Sequence, residues 1–141
     1  MIDIENMVFD KFYNSLIALY PNANITGGYD EERASVLTVI IREVNNAPLQ
    51  KTATDDCVEN HARVTYEIEV VTDQTSTGRS LCRQVMSDVD DIAQTMKFRR
   101  IHMNRPINID RTKWRQYARY EVIVGKPQEI DGNTVYQMYR R

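Results

Sequence analysis

The chain has 141 residues, 42% hydrophobic and 27% charged, which is enough apolar material for one buried core and unlike a disordered or collagen-like polymer. Its net charge of −2 argues against a dedicated DNA binder, which would be strongly basic, and its longest apolar run, VLTVII (Val36 to Ile41), falls far short of the roughly 18 residues of a membrane-spanning helix. Two cysteines, Cys57 and Cys82, stand in unrelated contexts; they supply no disulfide framework and fit a reducing compartment.

The opening MIDIENMVFD is acidic and has neither the basic nor the apolar region of a signal peptide, so synthesis in a cytosol is expected. It reads as a helix start. Asp3 is placed as N-cap, Ile2 and Met7 are spaced for a hydrophobic staple, and Ile4, Val8, Phe12, Leu16 and Leu19 form one stripe that Pro21 and Asn22 end. GGYDEERAS follows as a turn-rich acidic connector, with Gly27-Gly28 lacking the spacing of a phosphate loop. Ser35 to Val44 is β-branched and uniformly apolar, the pattern of a central strand. Residues 45–60 are polar, include Pro48 and show no period, and a loop of that length in a compact domain is a first candidate for a partner contact.

HARVTYEIEVVTD (His61 to Asp73) alternates, with Ala62, Val64, Tyr66, Ile68 and Val70 on a core face and Arg63, Thr65, Glu67 and Glu69 on a face that is wet or paired. QTSTGRS turns into a helix with the stripe Leu81, Val85, Val89, Ile92 and Met96, backed by Cys82, Met86 and Ala93; Asp88, Asp90 and Asp91 occupy its outer, solvated side. Two extended segments come next, Phe98 to Asn104 and Trp114 to Gly125, split by RPINIDRTK. A hairpin within residues 120–139 is expected to turn at Asp131-Gly132. No internal repeat is present. The order predicts one α+β domain over residues 1–141, in which two helices cover one face of an antiparallel sheet of four to five strands.

Net charge conceals a division along the chain. Residues 1–96 hold seven Lys/Arg against sixteen Asp/Glu (−9), and residues 97–141 hold eleven against four (+7). Arg99, Arg100, Arg105, Arg111, Lys113, Arg115 and Arg119 lie in one stretch whose only acidic member is Asp110. If Trp114, Ala118, Tyr120, Val122 and Val124 face the helices, then Arg115, Tyr117, Arg119, Glu121 and Ile123 face away. An antiparallel neighbour carrying Arg63, Glu67 and Glu69 then sets carboxylates opposite Arg115 and Arg119. Those glutamates are too few for the whole cluster, so some of it needs another partner. Tyr117 with Arg99 and Arg119 also makes a stacking and phosphate surface of the kind single-stranded nucleic acid uses. Cys57, His61, Cys82 and His102 are the candidate metal ligands, but only the first two are close in sequence and no doubled pair is present. No activating turn surrounds either cysteine. Neither a catalytic residue nor a cofactor is expected.

These segments, from VENHARVTYEIEVVTDQTSTGRSLCRQVMSDVDDIAQTM to NRPINIDRTKWRQYARYEVIV, resemble the tail-terminator (tail completion, or neck) proteins of long-tailed bacteriophages and related prophage particles. The likeness covers about Ser35 to Val124. It is carried by Glu59-Asn60 before the TYEIEV strand, a Gly-basic turn into a helix ending in an acidic run, Pro106 and Asn108, and Arg115, Ala118, Arg119 and Tyr120. Where similar proteins carry glycine after that helix, this chain has Lys97, which disfavours a left-handed C-cap. The resemblance implies a non-enzymatic virion subunit that forms a ring, typically hexameric, on the tail tube. There it would end tube polymerisation and join the tail to the head connector, with DNA passing through the lumen unread and no membrane involved. A neighbouring head-completion or connector ring protein of the neck is the alternative. A closed ring needs two complementary sides on each subunit. The split charge then puts the basic cluster, with Asp88, Asp90 and Asp91 opposite, at the subunit interface, or the cluster against DNA in the lumen.

Overall fold

The computed structural model describes residues 1–28, 37–49, 61–73, 77–110 and 113–139. The acidic connector beyond Gly28, residues 50–60 with Cys57 and the Glu59-Asn60 pair, and Arg111 lie outside these. Two helices, α1 (Glu5–Leu19) and α2 (Gly78–Thr95), pack with a sheet of seven strands: β1 (Asn24–Thr26), β2 (Leu37–Pro48), β3 (His61–Asp73), β4 (Arg99–Met103), β5 (Ile107–Asp110), β6 (Lys113–Gly125) and β9 (Met138–Tyr139). β7 (Gln128–Ile130) and β8 (Asn133–Val135) form a separate two-stranded ribbon.

The fold is α+β, as the sequence predicts, but the sheet is larger and mixed. β1 pairs parallel with β2, whereas β2, β3 and β6 run antiparallel. β6 is the hub. β3 follows one of its edges from Lys113 to Gly125, and β5, β4 and β9 tile the other in succession. β2 continues to Pro48 through a bulge between Glu43 and Asn45, so the first four residues of the expected loop are strand.

One core joins the helices to alternate residues of the long strands. Val8, Phe12 and Leu16 of α1 and Cys82, Val85, Met86 and Val89 of α2 meet Val39, Val64, Tyr66, Ile68, Val70, Ala118, Tyr120 and Val122, all buried. Tyr66 and Phe98 meet edge to face at 5.7 Å, a favoured aromatic geometry. At the start of α1, Ile4 takes the N-cap position while Asp3 Oδ1 accepts the Glu5 N–H at 3.0 Å. The expected staple and the last stripe position fail: Ile2 is buried, but Met7 and Leu19 are exposed.

Two backbone positions fix α2. A Cβ on Gly78 would stand 2.0 Å from the Asp73 carbonyl oxygen, so only glycine permits this close turn from β3. At the other end Lys97 adopts φ 68°, with Phe98 N–H donating to Ala93 O and Lys97 N–H to Gln94 O, both at 3.1 Å. That is a Schellman cap, formed here without glycine. Burial of Phe98 offsets the left-handed strain that disfavours lysine.

Candidate functional site: an ion-paired sheet face and a basic cleft

The face of the sheet opposite the core is built from charges. Glu67 of β3 is cross-strand neighbour to both Arg42 and Arg119, and their guanidinium nitrogens lie 3.4 and 3.5 Å from its carboxylate. Glu121 of β6 stands 3.5 Å from Arg63 and 3.8 Å from Arg99. Glu69 is held by Arg115 at 2.6 Å. Five arginines thus enclose three glutamates across β2, β3, β6 and β4. Thr65, Glu67 and Glu69 are buried, which alternation alone does not convey: a polar face need not be a wet one. Tyr117 has the Arg115 guanidinium 5.6 Å from its ring centroid and the His102 ring at 5.4 Å. Its ring therefore already has intramolecular neighbours.

Five of the seven cations of the sequence cluster have intramolecular carboxylate partners. Beyond Arg99, Arg115 and Arg119, Lys113 pairs with Asp73, and Arg100 lies 3.3 Å from Asp90. Arg105 has no ion pair among the described residues, and Arg111 is outside them. The outer aspartates are also not simply solvated, as the sequence suggests. Asp90 accepts hydrogen bonds from Tyr120 at 3.0 Å and Gln94 at 2.9 Å besides meeting Arg100, and Asp88 accepts one from Tyr20; Asp91 is exposed. The expected match between this helix face and a neighbour's basic cluster is thereby weakened, because Asp90 already has its cation. Burial, then the bond to Asp88, pushes the Tyr20 hydroxyl up to about 12. Burial, then Asp90, raises Tyr120.

A cleft of about 720 Å³ opens where α2, the end of β4 and the start of β6 meet. Arg79 and Arg83, one turn apart on α2, line it with Arg100, Arg105 and His102, and among the described residues no carboxylate is in its walls. Arg79, Arg83 and Arg105 are exposed. Its geometry depends on Asn104, whose N–H donates to Tyr117 O at 3.2 Å and whose Oδ1 accepts Tyr117 N–H at 2.7 Å. Gln116 Nε2 donates to Asn104 O at 2.9 Å, which fixes the amide and leaves Gln116 Oε1 buried against the cleft without a donor. Arg79 and Arg83 escape a reading centred on residues 97–141. Their i,i+4 spacing behind Gly78 is the signal that marks them.

Among the described residues, no three His, Cys, Asp or Glu side chains converge as a metal site. His61 packs against Tyr139, and His102 against Tyr117. Cys82 is buried, its thiol donates to Val70 O at 3.6 Å, and burial raises its pKa to about 11, which leaves little thiolate at neutral pH. Among the described residues no helix is long and apolar enough to cross a membrane. Compared with known proteins, the chain matches no family model, and no curated protein matches it, so its function must be argued from its own residues.

Proposed function

We propose that the chain is a structural subunit of the tail-terminator type, forming a ring at the head-proximal end of a phage tail tube. In that role it ends tube polymerisation and joins the tail to the head connector, while DNA crosses the lumen without sequence readout. The reading rests on the sequence resemblance, whose motifs fall on coherent elements: TYEIEV in β3, Gly78-Arg79 at the start of α2, Pro106 and Asn108 around the start of β5, and Arg115 to Tyr120 in β6.

The observation that carries it is the charge left after internal pairing. Among the described residues, Arg79, Arg83 and Arg105 surround a cleft with no carboxylate and have no ion pair. Such one-sided charge favours contact between unlike surfaces, the kind from which rings close. Exposed pairs contribute roughly 0 to 1 kcal/mol each, so they would select register and partner more than supply affinity. A head-completion or connector ring position in the neck satisfies the same constraints.

A reconstruction of particles containing this chain tests the proposal. A closed ring at the tube end supports it, a ring at the head side transfers it to the connector position, and a single copy per particle overturns it.

A further inference from the structure

The β7–β8 ribbon has no visible reason to hold its shape alone. Every residue from Lys126 to Val135 is exposed, including Ile130 at 50% and Val135 at 41%. Two-stranded hairpins are marginal in water unless something covers one face. The cross-strand register puts Ile130 and Val135 on one face and Glu129 on the other, with Asp131 in the tight turn at φ 52° before Gly132 at φ 78°. The ribbon tip is therefore acidic with one apolar face.

The cleft has the opposite character. Arg79, Arg83 and Arg105 lack carboxylate partners among the described residues, and Ile101 beside them is 43% exposed. A bare anion would match the arginines but would leave Ile101 uncovered. The ribbon tip supplies both carboxylates and an apolar face.

We infer that the β7–β8 tip of one subunit, carrying Glu129 and Asp131, docks in the Arg79/Arg83/Arg105 cleft of the next. A subunit cannot satisfy its own cleft. Gln116 at the cleft and Gly125 at the ribbon's base are separated along β6 by nine residues of extended chain, about 30 Å, and the ribbon continues from the far end. The contact joins two different surfaces, so repetition gives a head-to-tail series that closes into a ring or grows as a filament. This rests on the ring reading above and names the two surfaces that make the ring.

The test uses the full chain in a Cys57→Ser background with Asn133→Cys at the tip and Ile101→Cys in the cleft, linked by a short bismaleimide. The expected result is a ladder of covalent oligomers, absent from either chain carrying only one of the two introduced cysteines, which can give dimers at most because Cys82 is buried. Arg79→Glu with Arg83→Glu should cut the ladder by about tenfold or more, and adding Glu129→Arg with Asp131→Arg should restore it. Failure to form a ladder, or a ladder indifferent to both reversals, overturns the inference. So does duplex DNA binding that the Arg79/Arg83 reversal abolishes in a chain giving no ladder, which would assign the cleft to phosphate. Particles that keep a ring after deletion of residues 126–135 discard the docking and retain the ring. A single copy per particle discards the ring itself.

Discussion

β3 buries both of its faces through its middle, and it does so by opposite means. On one face Ala62, Val64, Tyr66, Ile68 and Val70 lie against Ala118, Tyr120, Val122 and the helices; on the other, Glu67 and Glu69 lie beneath arginines. Apolar contact is non-directional and stabilises in proportion to area. Ion pairing between strands returns little net stability once desolvation is counted, but it penalises wrong register, because slipping by one residue breaks the pairs and turns the charged side chains toward the core. The first face therefore holds the domain together, and the second specifies alignment.

Ile68→Ala breaks the comparison at its strongest point. Ile68 is fully buried, and its truncation should cost about 2 to 5 kcal/mol in urea unfolding, insensitive to salt. Glu67→Gln attacks the other face, leaving Arg42 and Arg119 without their carboxylate. Those side chains are 36% and 50% exposed and can rehydrate, so a loss of about 1 to 2 kcal/mol is expected, shrinking in molar salt. Equal losses with equal salt response would remove the distinction between the faces.

Lys97→Gly tests a site belonging to neither face. Relief of the left-handed backbone should add about 1 kcal/mol, visible as a higher midpoint at any ionic strength. The smallest effect is expected at Glu43, where burial, then Glu5 and Asp3, raises the carboxyl pKa above its ordinary 4.5. A raised folded-state value means the contribution to stability is present below the unfolded pKa and lost as pH rises through the folded one. Glu43→Gln should therefore match the parent in acid and exceed it slightly at neutral pH, and an advantage confined to acid would contradict the assignment.

How much of this is legible in the sequence follows from how local each signal is. The bounds of β3 and the core stripe of α2 are readable because their periods persist over many residues, and the Asp131-Gly132 turn is readable because of its residue types. β1 and β5 have three and four residues, too few for any period, and the parallel pairing of β1 depends on a distant strand. Burial of Glu67 and Glu69 escapes because alternation reports only that two faces differ. The cleft draws on α2, β4 and β6 at once, so Arg79 and Arg83 become neighbours of Arg105 only after folding.

The outer edge of β6 is tiled by β5, β4 and β9, each no more than five residues long. A protein that meets copies of itself at high local concentration runs the hazard that exposed main chain will recruit another strand indefinitely. Breaking that margin into short, offset pieces interrupts the row of free amides before a foreign strand can zip along it. Growth by backbone pairing is thereby discouraged at this edge, which leaves any contact made there to side-chain chemistry.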